Sequence, residues 1–270
     1  MKDRNAPIGV FDSGIGGLTV LRELHRLLPR ESTVYLGDTA RVPYGTKSSK
    51  VVTRYALNNA SLLVERGIKM LVVACNTASA VALDELERCL DIPVLGVIEP
   101  GARRAAEATR SGVVGVIGTE ATISSGAYQR ALRRIDGNLQ VVARPCPLFV
   151  PLAEEGWADT PVTEMVAREY LAGWMPKALD TLILGCTHYP LLAGCVQRVV
   201  GDAVRLIDSA SSVAGEVARI LGQLDMLSNG EEPRHTYLCT DVPERFSRVG
   251  ANFLGKKLEG VEQVDVKGSE

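Results

Sequence analysis

Two cysteines of this chain occupy the same kind of place. Cys75 closes the apolar run of LVVACNTAS, residues 71–79, and Cys186 closes that of LILGCTHYP, residues 182–190. Small polar residues follow each: Asn76 and Thr77 after the first, Thr187 and His188 after the second. A thiol where a buried strand meets the next helix sits at the positive end of that helix's dipole. This favours thiolate over a free thiol of pKa ~8.5. Two thiols flanking a ligand could remove a proton from one face of a carbon and deliver one to the other, inverting it; reversal exchanges their roles. Two buried structural cysteines are the plainer alternative for either position alone. A disulfide between them would need Cα atoms within ~7 Å and would leave no room for a ligand.

Four further stretches could complete such a site. VFDSGIGGLTV, residues 10–20, runs from a strand through Asp12, Ser13 and three glycines into a helix. Backbone N–H groups exposed there suit an anion. The spacing is not GxGxxG and no P-loop lysine follows, so a nucleotide is not indicated; a tight turn capped by Asp12 or Ser13 is the alternative. YLGDTARVPYGTKS, residues 35–48, carries Asp38, Tyr44 and Gly45, the last allowing close backbone approach. GTEATISSG, residues 118–126, offers the hydroxyls of Thr119 and Thr122 to a carboxylate or to a helix cap. PLAEEGW, residues 151–157, reads as a loop whose Glu154 or Glu155 could reach a cleft.

His188 could orient or activate Cys186, while His25 reads as a solvent-facing helix residue. Four ligands at structural-zinc spacing are missing, so no metal is expected. Cys89 and Cys195 read as helix residues and Cys239 as part of a late strand; Cys146 stays a weak candidate.

Positioning these residues falls to short runs rich in Val, Ile and Leu, over 8–11, 33–37, 70–74, 94–98, 113–118, 139–143, 181–185 and 204–207. They alternate little, as strands buried on both faces do. Helical patterns lie between them, over 17–28, 48–66, 77–90, 101–109, 124–135, 162–174, 190–199 and 210–224. Strand alternating with helix predicts an α/β fold of mostly parallel sheets flanked by helices, with ligands beyond the carboxyl ends of the strands.

The chain also repeats itself weakly. KMLVVACNTA matches DTLILGCTHY at an offset of 111 residues. VLGVIEPGARRAAE matches VRLIDSASSVAGEV at 109, aligning Glu99 with Asp208. GVFDSGIGGLTVLREL matches GVIGTEATISSGAYQRAL at 106, placing Asp12 near Gly118; in the same repeat Cys146 falls near Asp38. Three matches in one order predict two pseudosymmetric lobes, residues 1–98 plus 209–270 and residues 99–208, with the site in the cleft between them. The stretch HTYLCTDVPERFSRVGANFLG is expected to pack back on the first lobe, and the absence of a linker predicts a substantial shared interface.

Composition narrows the classes. With 46% hydrophobic and 23% charged residues, the 270-residue chain has no disorder signature. A net charge of −2 with scattered Lys and Arg argues against nucleic acid as a partner. No apolar run approaches the ~18 residues of a membrane span, and the charged start is too short for a signal peptide. A cytoplasmic protein with six reduced cysteines and no CxxC is expected.

Taken together, GVFDSGIGGLTVL, YLGDTARVPYG, ACNTASA, GVIEPG, CPLFVPLAEEG and LGCTHYPLL resemble the aspartate/glutamate racemase family, and within it the glutamate racemases, over about residues 7 to 255. The resemblance implies cofactor-independent racemisation of L-glutamate to D-glutamate for peptidoglycan, with no pyridoxal phosphate. It makes Cys75 and Cys186 the two acid/bases, Cys75 abstracting from D-glutamate and Cys186 from L-glutamate. Asp12, Ser13, Tyr44, Gly45, Asn76, Thr77, Thr187 and His188 would hold substrate, with Thr119 and Thr122 on its carboxylate. Asp12, Asp38, Glu154 and His188 would assist proton transfer, Glu154 being preferred to Glu155 because it directly follows VPLA. The resemblance also carries a homodimer and, for some members, binding to DNA gyrase. Three rivals remain: an aspartate racemase, a single-thiol enzyme using Cys186 with His188, and a non-enzymatic partner protein.

Overall fold

A computed structural model describes residues 3–266. The first half of the chain runs β1 (Ile8–Asp12), α1 (Leu18–Leu27), β2 (Thr33–Gly37), α2 (Ser49–Glu65), β3 (Met70–Val73), α3 (Asn76–Cys89), β4 (Val94–Gly96) and α4 (Ile98–Ala108). It continues through β5 (Val113–Gly118), α5 (Glu120–Ser124), α6 (Ala127–Ile135), β6 (Gln140–Pro145), α7 (Phe149–Glu154), α8 (Pro161–Leu171), β7 (Thr181–Gly185) and α9 (Ala193–Val200). The remainder is β8 (Arg205–Asp208), α10 (Ser209–Gln223), β9 (His235–Cys239), α11 (Pro243–Leu254) and β10 (Val261–Gln263).

The strands form two parallel sheets, ordered β10-β9-β2-β1-β3-β4 and β6-β5-β7-β8. The segment β2-β1-β3-β4 of the first has the same order as the whole of the second. The backbone keeps this equivalence in detail. Just past β2, the Asp38 N–H donates to the carbonyl of Asp12 at 3.1 Å; just past β6, the Cys146 N–H donates to that of Gly118 at 2.8 Å. Strands β1, β2, β3, β5 and β7 are buried along their whole length, which is why their sequences do not alternate. One apolar cluster reaches from Ile8 and Val10 in the first sheet to Leu182 and Leu184 in the second, joined by Val213 and Val217 of α10. Full burial of each such side chain contributes ~1.5–3 kcal/mol, so the two sheets stabilise each other.

Several boundaries depart from the sequence expectation for local reasons. The fourth strand stops at Gly96, and α4 begins at Ile98 because Pro100 is tolerated in a first helical turn. The expected helix over 124–135 is α6, which starts only after Gly126 with φ +67°, and the short α5 precedes it. A 3-10 turn, Tyr189–Leu192, precedes α9. PLAEEGW is not a loop: its first half belongs to α7. The C-terminal stretch adds β9 beside β2, and α11 packs against α1. Among the described residues no helix is long and apolar enough to cross a membrane.

Candidate active site

Both cysteines open into one cavity of about 160 Å³ at the carboxyl ends of the strands. Cys75 caps the N-terminus of α3, two residues past the end of β3; Cys186 directly follows β7. Ser13, Tyr44, Gly45, Asn76, Thr77 and Thr119 line the cavity with them, as do Thr187 and His188. No lysine or arginine among the described residues lines it. A dianionic ligand would therefore be met by helix-start N–H groups and hydroxyls, a combination suited to carboxylates.

The two thiols have unlike neighbours. The Cys75 thiol donates to Ser13 Oγ at 3.6 Å. Burial and the charge of Asp12 push it up to about 12, against the N–H groups of Ala78 and Ser13. The helix start at Cys75 therefore does not produce the lowered thiol that the sequence suggested, because removal from water outweighs the dipole. Cys186 Sγ lies 3.8 Å from His188 Nδ1, and His188 Nε2 lies 3.1 Å from Glu154 Oε1. Burial opposes charge on His188, but its bonds to Cys186 and Glu154 and the nearby Asp12 outweigh burial and push it up to about 10. An imidazolium donates from both nitrogens, which satisfies both neighbours at once.

Behind the wall stand four of the expected site residues. Asp12 ends β1 and is fully buried; its carboxylate accepts the Gly14 N–H at 3.0 Å and the Thr187 hydroxyl at 3.4 Å. Burial pushes it above the usual carboxylate range despite His188 nearby. It does not cap α1, whose N-cap is Gly17 with no side-chain bond. Asp38 is likewise buried and serves Tyr44: it accepts from the Tyr44 hydroxyl, from Arg41, from Thr240 at 3.1 Å and from Asn59 at 3.4 Å. Thr122 closes a ring of hydroxyls with Thr77 at 3.2 Å and Thr119 at 2.9 Å, Thr77 and Thr119 also lying 2.9 Å apart. Glu154, the last residue of α7, takes His188 on one oxygen and Arg245 on the other, whereas Glu155 is exposed. Burial raises Glu154, but His188 and Arg245 win and hold it below the usual carboxylate range.

Two glycines make the closeness possible. A Cβ on Gly16 would lie 2.2 Å from Thr187 Oγ1 and 2.5 Å from His188 Nδ1. One on Gly45 would lie 2.7 Å from Thr119 Cβ. Both are places where the first-sheet half meets the second.

Some participants carry no local signal in the sequence. Val42, Pro43, Thr46, Glu120, Pro147, Val150 and Pro151 complete the wall. Tyr128 accepts from Asn76 Nδ2 at 2.8 Å and pairs with Ser209 at 3.1 Å, which leaves the buried Asn76 Oδ1 without a protein partner. Cys146 is buried outside the wall, its carbonyl bonded by Tyr189, and burial pushes its thiol up to about 12. His25 does not face solvent: it stacks on His235 with ring centroids 3.8 Å apart, since Thr33 bridges the two imidazoles.

Known proteins resemble this chain both in sequence and in shape. The sequence pattern of the Asp/Glu/Hydantoin racemase family matches residues 8–217. A glutamate racemase of Geobacter metallireducens is 59% identical over 261 residues, covering 96% of this chain and 97% of its own. The crystal structure of a glutamate racemase isoform from Bacillus anthracis superposes with a TM-score of 0.94 at 40% identity, covering 97% of this chain and 98% of that one. The glutamate racemase of Francisella tularensis, solved in complex with D-glutamate, superposes with a TM-score of 0.92 at 38% identity and the same coverage. With this likeness running through nearly its whole length, the chain belongs to the Asp/Glu/Hydantoin racemase family, among its glutamate racemases, which are isomerases.

Proposed function

We propose that the cavity interconverts L- and D-glutamate with two thiols and no cofactor, and that the D-glutamate supplies peptidoglycan synthesis in the cytoplasm. What carries the proposal is the opening of Cys75 and Cys186, at equivalent strand ends of two like-ordered sheets, into one cavity. The D-glutamate complex of the Francisella tularensis relative supports the choice of substrate.

In the L to D direction, Cys186 as thiolate takes the α-proton, and the electron pair moves toward the α-carboxylate. The Cys75 S–H then gives its proton to the opposite face of the same carbon. Return to the starting state exchanges one proton at each sulfur with solvent. The unlike neighbours of the thiols suit these roles: His188 donates toward the sulfur of Cys186, and Cys75 is kept protonated by burial beside Asp12. Asn76 Oδ1, with its amide nitrogen held by Tyr128, is an acceptor for the substrate ammonium. Ser13, Tyr44, Gly45, Thr77, Thr119 and Thr187 provide hydroxyl and N–H groups for the carboxylates, with Thr122 behind them. Asp12, Asp38 and Glu154 assist through the residues they hold.

The lobes of this reading are residues 1–98 with 209–270, and 99–208; residues 1–2 and 267–270 lie outside the described residues. A homodimer and a secondary contact with DNA gyrase follow from the family resemblance, and sedimentation and pull-down with the double cysteine variant test them.

The decisive experiment is proton NMR of L-glutamate in D2O with pure protein and no added cofactor. Wild type should yield D-glutamate bearing α-deuterium. Cys75→Ser and Cys186→Ser should each lose at least the ~10²–10⁴-fold supplied by a positioned acid or base. Folded wild type without α-exchange would sink the proposal. Racemisation retained in Cys75→Ser would favour the single-thiol alternative that the Cys186–His188 contact also allows.

A further inference from the structure

The family pattern ends at residue 217, yet the segment beyond it touches the Cys186 side of the cavity twice. Phe253 of α11 meets the His188 ring edge-on, with centroids 5.2 Å apart, and Arg245 of the same helix reaches Glu154 Oε2 at 2.9 Å. Helix α11 packs on α1 of the first-sheet half, whereas Glu154 belongs to α7, between β6 and β7 of the second sheet. The ion pair therefore crosses from one half of the molecule to the other.

Glu154 needs a second partner. It is the last residue of α7, where unpaired carbonyls disfavour a carboxylate. One oxygen is committed to His188 Nε2, and Arg245 is the partner of the other. Without Arg245, rotation of the carboxylate would cost nothing at Oε2, and the His188 contact would lose its fixed geometry. The charged and titratable groups around this relay are Cys186 past β7, Asp12 on β1, Glu154 on α7 and Arg245 on α11.

We infer that Arg245 is a positioning residue for the Cys186 half of the reaction: it holds Glu154 in place so that Glu154 can hold His188 against the Cys186 sulfur. The inference rests on the two-thiol reading. It assigns to the C-terminal helix a part in the chemistry that residues 8–217 alone do not contain.

The test is the pH profile of kcat/KM for Arg245→Ala, Arg245→Lys and wild type. Because the enantiomers have equal free energy in water, kcat/KM must agree in the two directions for every variant, so one direction suffices. Loss of the guanidinium should let Glu154 take a proton at higher pH. The acid limb of Arg245→Ala should then move up by roughly half a pH unit, a size set by the half-exposed position of the arginine. Arg245→Lys should restore most of it. An acid limb that stays in place, or a rate lowered equally at every pH, overturns the inference. Arg245→Gln, which keeps the length and loses the charge, repeats the test should Arg245→Ala unfold. Failure of the two-thiol reading would look different, since wild type itself would then show no α-exchange.

Discussion

At the scale of residues, the site is asymmetric although its scaffold repeats. Cys75 faces Asp12 and Ser13, while Cys186 faces His188. Both thiols are buried, so what distinguishes them is the charge alongside, Asp12 near Cys75 and His188 at Cys186. His188 shows this most directly and allows a signed test. Its value is raised from 6.5 to about 10, so its favourable contribution to stability is complete below pH about 6.5 and disappears as pH climbs through about 10. Urea unfolding of wild type and His188→Asn from pH 6 to 10.5 should show a stability gap that is widest at the acid end and closes toward the alkaline end. A gap that stays constant with pH would mean a neutral imidazole. Of these contacts, the sequence made only the Cys186–His188 pair readable, because the two residues stand on the same turn. Arg245 and Tyr128 arrive from far along the chain, and nothing local marks them.

At the scale of elements, the strand ends do the placing. Parallel strands that all point one way present Asp12, Asp38, Cys75, Thr119 and Cys186 at the same edge of their sheets. The glycines between β1 and α1 then let that turn lie against the residues after β7. Gly16→Ala should therefore leave each sheet intact but force Thr187 and His188 away, since neither the backbone at Gly16 nor the buried histidine has free space. The expected result is at least a ten-fold fall in kcat/KM with Tm reduced by only a few degrees, as ~1–3 kcal/mol of overpacking would produce. Activity unchanged in Gly16→Ala would show that the turn can yield. The helical periods in the sequence revealed most of these elements. They did not reveal α7, because a six-residue helix holding one proline carries too little periodicity to be seen.

At the scale of the whole molecule, the chain leaves the first sheet after β4 and returns through α10 to add β9, α11 and β10. A buried ion pair secures this return at the far end of the strands. Lys69 Nζ lies 2.5 Å from Glu31 and also donates to the carbonyls of Arg4 at 2.6 Å and Met226 at 2.9 Å. Glu31 in turn accepts the Ser228 N–H at 2.7 Å. Lys69→Met strands a buried carboxylate and should destabilise the protein by about 3–5 kcal/mol in chemical denaturation. The folded fraction should racemise at the wild-type rate, since none of these groups lines the cavity. A stability loss below 1 kcal/mol would show that the pair is not holding the segment.

The sequence by itself determined the α/β class, the order of β1 to β8 with most of the helices between them, and the repeat that pairs Cys75 with Cys186. These follow from short-range rules: apolar runs buried on both faces, and small polar residues where a strand turns into a helix. Only the tertiary structure decided which groups stand beside each thiol, that Asp38, Thr122 and Glu154 stand behind the wall, and that the C-terminal helix reaches Glu154. Such contacts join residues up to 202 positions apart, as between Thr240 and Asp38. Charge and burial at a site are set by whatever the fold brings within a few ångströms, and that is a property of the packed chain rather than of any stretch of it.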